Sequence, residues 1–547
     1  MKLFFSPRIE ESLGGAHSGD RVAWEQPNVS GIPAQGFRLR IEAKAIHLEA
    51  ADEPGLFYGR QALAEIQAQS GDAPIPCCRI EDWPDFKNRG YMLDISRDRV
   101  PTMSHLFRLV DHLARLRYNQ LQLYTEHTFA YSKHKTVWEK ASPMTAAEVR
   151  ELDRYCHDRH IELVPNQNSF GHMERWLEHD DYKPLAECPE GFRHPVSGAW
   201  RPQGSVLKPD ARSLEFLDGL YRELLPNFSS RKFNIGGDEP WELGWGASRA
   251  RVEAEGKHKV YAEFLARVCQ LALQHGAEPM CWADVLLEEP AVIDQLPDQI
   301  RPILWGYEVD HPFHEQCALL QNLRRDYCVA PGDSTWTSYT GRVATMRANV
   351  RTAAQTGLQF GASGLLMTHW GDGGHPQPWP VSLPGMVWAG LLAWNVSAEE
   401  RRLEESLRAL FGDQSGDYVQ VLLEAGKIDE TLGVPLANRS YLAHVNQMGD
   451  EARRSFEPAP GETSLRHVVH DSEAQIRALR RAALNSSDAA CLIDELELAL
   501  RMNRHAARRC LGEVKDFPRE LRERYQRCWL YRSRPGGLDD SLSKMEK

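Results

Sequence analysis

Long apolar stretches and paired cysteines are missing from this sequence. No run approaches the ~20 consecutive apolar residues that a membrane-spanning helix needs, and the apolar run within residues 1–8 is too short for a signal peptide. The eleven cysteines are scattered and include no C-x-x-C pair. That pattern indicates buried side chains or free thiols in a reducing compartment. Together these absences predict a cytoplasmic protein that does not associate with membranes.

Positive charge and nucleotide-binding motifs are also scarce. The net charge is -12 and the isoelectric point is near 6.0, which argues against nucleic acid as a partner. No G-x-G-x-x-G or P-loop follows a predicted strand, and no H-x-H or H-E-x-x-H pattern occurs. The sequence therefore predicts neither a cofactor nor a bound metal.

Alternating apolar strands and amphipathic helices occupy the middle of the chain. Apolar residues recur at helical spacing over 104–117, 145–159 and 258–275, between short apolar runs that fit strands. Eight strand–helix units within about 300 residues predict a (β/α)8 TIM barrel, with a doubly wound open sheet as the alternative. The predicted strands cover residues 90–96, 120–126, 161–166, 232–237, 279–284, 302–308, 327–332 and 364–370.

Composition divides the chain into three parts. Residues 1–82 mix strand and helix signals and predict a small α/β domain, and residues 83–396 would form the barrel. Residues 397–547 are charged and helical. We expect this C-terminal region either to pack on the barrel or to form the contact of a homodimer.

Polar and aromatic residues cluster where the predicted strands end. The fourth strand ends in Gly236-Gly237-Asp238-Glu239, where two glycines precede two adjacent carboxylates. Because active sites of such barrels lie at the C-terminal ends of the strands, these groups should meet at one mouth. The other groups at strand ends are Arg97, Glu126, His127, His172, Trp282, Asp284, Trp305, Tyr307, Glu308, Trp336, His369, Trp370 and Asp372.

Carboxylates combined with aromatic side chains point to cleavage of a glycosidic bond. That reaction needs an acid to protonate the leaving oxygen and a negative charge to stabilise an oxocarbenium-like centre. Flat tryptophan faces suit the apolar C–H faces of a sugar, and Arg97 could donate paired hydrogen bonds to neighbouring hydroxyls.

Four motifs, in order and spacing, resemble family 20 of the glycoside hydrolases, the β-N-acetylhexosaminidases. The first runs from Arg89 to Arg97, and the second from Val164-Pro165 to Gly171-His172. The others are Ile235-Gly236-Gly237-Asp238-Glu239 and Trp370-Gly371-Asp372. Residues 56–63 are similar to the end of that family's small N-terminal domain, so the resemblance covers roughly residues 35–395 and omits the helical tail.

The resemblance implies an exo-acting, retaining enzyme that removes terminal non-reducing GlcNAc or GalNAc. The 2-acetamido oxygen of the substrate would attack its own anomeric carbon, giving an oxazolinium ion. Glu239 would be the general acid and then the base, while Asp238 would orient the acetamido group.

The resemblance also implies roles for the surrounding residues. Arg97 would bind the 3- and 4-hydroxyls, and Asp372 the 4- or 6-hydroxyl. His172 and Glu126 would form a relay that holds the acid. Either Tyr307 or Tyr339 would contact the acetamido oxygen. The sugar pocket would be lined by Trp282, Trp305 and Trp370, with Trp336 nearby.

Several positions depart from the family's pattern. The family commonly has His where Asn234 stands, Glu where Asp372 stands, and an acidic run in place of Asn166-Gln167-Asn168. Asp-Asp is more usual where Glu126-His127 stands. These departures predict a divergent branch whose relay and hydroxyl contacts differ.

Two other classes of function remain open from the sequence. A barrel could bind amino sugars without hydrolysing them, or His127 and His172 could ligate the metal of a metal-dependent hydrolase. Among the remaining aromatic residues, Trp241 and Trp245 are predicted to pack within a loop, and Trp388 and Trp394 to lie in the core. Asp94 is predicted to be a structural partner of an arginine.

Overall fold

A five-stranded sheet with one helix opens the chain. The protein is described here by a computed structural model that covers residues 3–195 and 198–545. In this small domain the strands pair in the order β1-β5-β3-β4-β2, and the side chain of Asp52 caps the helix by accepting the Gly55 N–H. The elements are β1 (Ile9–His17), β2 (Trp24–Gln26), β3 (Phe37–Ile41), β4 (Ile46–Ala50), α1 (Glu53–Ser70) and β5 (Ile75–Asp82).

Eight parallel strands form the barrel, which confirms the predicted fold. Their residues are buried on both faces, as expected of a parallel sheet covered by helices. A two-stranded hairpin, β9 (Phe192–Arg193) and β10 (Trp200–Arg201), lies between the third and fourth barrel strands. The barrel strands are β6 (Asn88–Asp94), β7 (Gln120–Tyr124), β8 (Glu162–Val164), β11 (Lys232–Asn234), β12 (Glu278–Trp282), β13 (Arg301–Trp305), β14 (Cys328–Ala330) and β15 (Gly364–His369).

The barrel closes between β8 and β11 through a short parallel bridge. The Asn234 N–H donates to the Pro165 carbonyl, and the Gln167 N–H donates to the Asn234 carbonyl. Both hydrogen bonds have a length of 3.0 Å. The Asn234 side chain also donates to Gln122 Oε1 at 3.0 Å. Asn234, which departs from the family's pattern, therefore belongs to a hydrogen-bonded seam inside the barrel.

Helices surround the barrel and confirm the predicted amphipathic segments. Buried apolar residues of α4 alternate with polar ones at helical spacing, and Thr145 with Glu148 forms the predicted capping box. These helices are α2 (Met103–Arg115), α3 (Lys135–Trp138), α4 (Ala146–His157), α5 (Glu174–Leu177), α6 (Ala211–Leu224), α7 (Arg249–Glu255), α8 (Lys257–Gln274), α9 (Asp284–Glu288), α10 (Phe313–Asn322), α11 (Val343–Gln359) and α12 (Leu383–Trp394).

The C-terminal region is helical, as predicted, and packs on the barrel. Asn446 donates to the Tyr339 hydroxyl at 2.9 Å, and Arg99 donates to Ser533 Oγ at 2.9 Å. Its helices are α13 (Arg401–Phe411), α14 (Asp417–Ala425), α15 (Ile428–Leu432), α16 (Tyr441–Asn446), α17 (Asp450–Arg454), α18 (Glu462–Leu479), α19 (Ala489–Cys510), α20 (Arg519–Arg532) and α21 (Leu538–Met545). The domain boundaries at residues 82 and 396 stay predictions.

Several predictions about single residues are confirmed. Trp388 and Trp394 are fully buried, and the Asp94 carboxylate lies 3.4 Å from the Arg97 guanidinium. All eleven cysteines are free, and nine of them are buried. None of the helices formed by the described residues combines the length and the hydropathy that crossing a membrane requires.

Candidate active site

A cavity of about 410 Å³ opens at the C-terminal ends of the barrel strands. It brings together ten of the eleven residues that the sequence assigned to the site. The exception is Glu126, which is buried behind the cavity wall. The ten are Arg97, His172, Asp238, Glu239, Trp282, Trp305, Tyr307, Trp336, Trp370 and Asp372.

A glycine turn after β11 places both acidic side chains in this cavity. Gly236 and Gly237 have φ of +74° and +95°, values that side chains disfavour. A Cβ on Gly236 would lie 2.2 Å from Asn168 Oδ1, so the turn requires glycine. The Tyr261 hydroxyl, on α8, donates to the Gly237 carbonyl at 2.8 Å and holds the turn.

Glu239 itself has a positive φ of +47°. Such a conformation costs a non-glycine residue of order 1–3 kcal/mol unless its surroundings hold it. Here the Glu239 N–H donates to Asp284 Oδ2 at 3.0 Å. Burial raises the pKa of the Glu239 carboxyl, and Asp238 adds to the rise while His172 opposes it. Glu239 is thus suited to hold a proton.

His172 lies between the acidic pair and Glu126, which is buried behind the cavity wall. Its Nε2 lies 3.2 Å from Asp238 Oδ2 and 3.6 Å from Glu239 Oε2. Burial disfavours a charged ring, but the Asp238 carboxylate outweighs burial, and the pKa of His172 rises to about 10. His172, the centre of the predicted relay, therefore lies closer to Asp238 than to Glu239.

Glu126 sits between His172 and Arg97. Its Oε1 lies 3.2 Å from the Arg97 guanidinium and 3.9 Å from His172 Nδ1. The Tyr124 hydroxyl donates to the same oxygen at 3.1 Å. Burial raises the pKa of Glu126 to about 7, with Arg97 and His172 acting against the rise. Glu126 holds other side chains in place and does not line the cavity.

Asp284 is a third carboxyl beside the acidic pair. It lies at the end of the fifth predicted strand, and no role was predicted for it. Burial raises its pKa to about 7, and the neighbouring Asp238 adds to the rise. Trp305 Nε1 lies 3.5 Å from its Oδ1, and its Oδ2 accepts the Glu239 N–H.

Aromatic rings form a large part of the cavity wall. Trp305 stacks on Tyr307 with ring centroids 5.2 Å apart, and Trp336 meets Tyr307 edge-on at 5.0 Å. Trp370 donates its indole N–H to the Tyr307 hydroxyl at 2.9 Å and lies 5.7 Å from Trp282. The four tryptophans give the cavity flat apolar faces, to which sugar rings bind well.

Tyr307 and Tyr339, the two candidates for the acetamido contact, occupy different places. Tyr307 lines the cavity. Tyr339 is fully buried among the C-terminal helices, where its hydroxyl accepts a hydrogen bond from Asn446. Of these two tyrosines, Tyr307 alone is placed to contact a ligand in the cavity.

Backbone hydrogen bonds fix the loop that carries Trp370 and Asp372. The Gly371 N–H donates to Asp94 Oδ2 at 3.0 Å, and the Thr337 N–H donates to the Asp372 carbonyl at 3.2 Å. Arg97 lies over the ring of Trp370, with its guanidinium carbon 5.3 Å from the ring centroid. This loop and the loop after β6 are held as one unit.

Sequence reasoning missed part of the lining. Trp241, predicted to pack within a loop, lines the cavity, so that prediction is wrong; its position two residues after Glu239 was the available signal. Trp245 does not line the cavity; it is 49% exposed, with its ring 6.4 Å from that of Phe192. No motif marked the others, which are His194, Thr337, Asn438, Arg439, His444 and Gln447.

No group of three or more His, Cys, Asp or Glu side chains is arranged to hold a metal ion within residues 3–195 and 198–545. His127 and His172, the candidate ligands, differ in their surroundings. His127 is buried away from the cavity, and burial lowers its pKa to about 3.

Comparison with protein families decides the family of this barrel. The catalytic-domain model of glycosyl hydrolase family 20 matches residues 86–311, and the model of that family's domain 2 matches residues 8–83. Together they span more than half of the sequence. The chain belongs to glycosyl hydrolase family 20.

Relatives within family 20 agree with this assignment. A β-hexosaminidase of Akkermansia muciniphila is 25% identical over 46% of this chain, and the match spans 56% of that relative's length. Human hexosaminidase D is 25% identical over 76% of this chain and 88% of its own length. The chain therefore spans little more than half the length of the bacterial relative.

Solved structures agree on the fold. A chitobiase from Flavobacterium johnsoniae superposes with a TM-score of 0.59 at 15% identity. The superposition covers 98% of both chains, so it includes the C-terminal helices. At this level of identity the likeness concerns the fold alone.

Proposed function

We propose that this protein is an exo-acting, retaining β-N-acetylhexosaminidase that removes terminal GlcNAc or GalNAc from glycans or oligosaccharides. One observation carries the proposal. Asp238 and Glu239 enter an aromatic cavity side by side, yet their surroundings differ. Asp238 Oδ2 faces the positively charged His172 at 3.2 Å, whereas burial favours the protonated form of Glu239.

This difference fits the two tasks of substrate-assisted hydrolysis. A protonated Glu239 gives its proton to the leaving oxygen, and as a carboxylate it then activates water. Asp238 Oδ1 is buried and accepts no hydrogen bond from the residues that the structure describes. An acetamido N–H of the substrate would supply the missing donor, and the carboxylate would stabilise positive charge on that nitrogen.

The remaining lining residues support recognition of a terminal sugar. Arg97 binds the 3- and 4-hydroxyls, and Asp372 the 4- or 6-hydroxyl. Tyr307 donates its hydroxyl hydrogen to the acetamido oxygen, since the indole N–H of Trp370 already uses the hydroxyl oxygen as an acceptor. Trp282, Trp305, Trp336 and Trp370 enclose the ring and the acetamido methyl group.

The test is hydrolysis of p-nitrophenyl β-GlcNAc and β-GalNAc with and without EDTA, with the product anomer followed by NMR. We expect turnover that survives EDTA and an initial β-anomer. Loss of turnover with EDTA would instead indicate a metal-dependent hydrolase, and sugar binding without turnover would indicate a binding barrel. The cytoplasmic location, the absence of a nucleic-acid partner and the homodimer stay predictions.

A further inference from the structure

A second cavity, of about 480 Å³, adjoins the active-site cavity. The β9–β10 hairpin and its connection line one side of it, and Trp245, in the loop after Glu239, lines the other. His194, the residue after β9, lines both cavities. The two cavities therefore meet at this side chain.

Aromatic rings connect the two cavities. Trp241, in the active-site cavity, has its ring centroid 5.8 Å from that of His194. The ring of Phe192 lies 6.2 Å from His194 and 6.4 Å from Trp245. Phe192 is buried beneath the others, whereas Trp245 is 49% exposed. These four rings form an aromatic strip that starts two residues after Glu239 and ends at an exposed indole.

A buried carboxylate holds the backbone around Trp245. Glu187 is fully buried and accepts the N–H groups of Gly244 and Gly246 at 3.2 and 3.1 Å, on either side of Trp245. A Cβ on Gly246 would lie 1.9 Å from the Glu187 carbonyl oxygen, so this close approach requires glycine. The exposed indole thus stands on a fixed backbone, which lowers the entropic cost of binding a ligand.

A second buried carboxylate holds the other end of the strip. Glu242, which follows Trp241, is fully buried. It accepts the Ser205 hydroxyl at 2.7 Å and the Val206 N–H at 2.9 Å. Both tryptophans of the strip are therefore adjacent to residues that buried hydrogen bonds hold in place.

The charge of the strip suits a neutral ligand. Burial lowers the pKa of His194, so its ring is neutral near pH 7. Among the described residues that line the second cavity, Arg193 alone carries a charge, and its guanidinium donates to the Gly198 carbonyl at 2.7 Å. Indole faces bind the apolar C–H faces of neutral sugars.

We propose that the aromatic strip binds the neutral sugars on the reducing side of the cleaved bond. Glu239 gives its proton to the leaving oxygen, so the leaving group lies beside Glu239, where the strip starts. Trp241 then contacts the first sugar of the leaving group, and Trp245 stacks on the second. The substrate class is thus a neutral oligosaccharide of three or more sugars. This inference deepens the proposed function and rests on it.

Binding of oligosaccharides, measured by calorimetry, tests the inference without requiring turnover. The parent protein is Glu239→Gln, which should leave its ligands intact, and Trp245→Ala or Trp24→Ala is added to it. Trp24, 56% exposed on β2 of the small domain, lines neither cavity and is the matched control. One ligand series is chitobiose and chitotriose, and the other is GlcNAcβ1,3Gal and GlcNAcβ1,3Galβ1,4Glc.

The quantity measured is the gain in affinity that the third sugar brings. Covering one indole face buries on the order of 60 Å² of apolar surface, which corresponds to a gain of about tenfold. We expect this gain in at least one series for the parent and for Trp24→Ala, and its loss in Trp245→Ala. The series that shows the gain identifies the linkage that the strip accepts.

Three results would overturn the inference. The first is the absence of a gain in both series, and the second is a gain that persists in Trp245→Ala. The third is the absence of binding by every ligand. Should Trp245→Ala not fold, as judged by its thermal melt, Trp245→Leu replaces it. Leucine keeps an apolar side chain near Phe192 but has no flat face, so a gain that survives in this variant would contradict stacking.

The proposed function can fail separately. If p-nitrophenyl β-GlcNAc is not hydrolysed by the wild type but a gain that depends on Trp245 is present, the hydrolase proposal fails and the sugar-binding strip stands. If the glycoside is hydrolysed with retention and no third-sugar gain is found, the hydrolase proposal stands and the strip fails.

Discussion

The backbone N–H of Glu239 donates to the carboxyl of Asp284 at a distance of 3.0 Å. Glu239, the proposed general acid, is therefore held by a third acidic residue. This contact fixes Glu239 in a backbone conformation that it would otherwise avoid, with φ of +47°. It also places a third ionisable carboxyl, of pKa about 7, beside the acidic pair.

Asp284→Asn should narrow the pH range of activity from the alkaline side. Below about pH 7 Asp284 is protonated, and the profiles of the two proteins should coincide. Once ionised, Asp284 favours the protonated form of Glu239, whose pKa burial already raises, and a neutral asparagine cannot do so. Because asparagine still accepts the Glu239 N–H, kcat/KM near pH 5 should be retained. An alkaline limb that does not move in the kcat/KM profile would contradict this coupling.

Glu239→Gln should lower kcat by about 10²- to 10⁴-fold, the usual contribution of a general acid. The loss should be larger for a disaccharide than for a p-nitrophenyl glycoside, because p-nitrophenolate leaves with little help from a proton. GlcNAc affinity, measured by calorimetry, should change little. Near-normal turnover of the disaccharide would remove Glu239 from the role of acid.

Asp238→Asn should slow substrates that carry the acetamido group. An amide cannot stabilise positive charge on the acetamido nitrogen, and the charged ring of His172 loses its partner at 3.2 Å. We therefore expect kcat for p-nitrophenyl β-GlcNAc to fall by more than about tenfold. Any residual hydrolysis of p-nitrophenyl β-glucoside is the reference. An equal loss on both substrates would count against the assigned role.

Tyr307→Phe and Tyr339→Phe form a matched pair that tests the acetamido contact. The first change removes a hydroxyl from the cavity and should lower kcat/KM for p-nitrophenyl β-GlcNAc by about tenfold or more. The second removes a hydroxyl that accepts a hydrogen bond from Asn446 outside the cavity, and it should lower Tm while kcat/KM is retained. The opposite result would assign the contact to Tyr339.

Arg532→Leu should destabilise the C-terminal region. Arg532 forms a buried ion pair with Glu495 at 2.7 Å, in which both side chains are at most 5% exposed. Removing one member leaves a buried charge without its partner, which costs about 3–5 kcal/mol. The control is Arg527→Leu, which breaks a pair with Asp494 at the surface and should cost about 1 kcal/mol or less. Equal shifts of Tm in the two variants would contradict the difference.

The barrel and the acidic pair could be predicted from local sequence patterns. Parallel strands are buried on both faces, so they appear as short apolar runs, and all eight were predictable without any long-range information. Because the carboxyl ends of such strands share one mouth, Asp238, Glu239 and Arg97 could be placed together from their order alone.

The groups that surround that pair, by contrast, are set by tertiary packing. Asp284 meets Glu239 through a backbone N–H, and Arg439 arrives from a helical region about 200 residues away along the chain, contacts that local patterns do not encode. Tyr307 and Tyr339 each lie near the end of a predicted barrel strand, and packing of α16 buries one while leaving the other in the cavity. The pattern of apolar residues locates the end of each strand in the sequence. The packing of distant segments against those ends determines which side chains line the cavity.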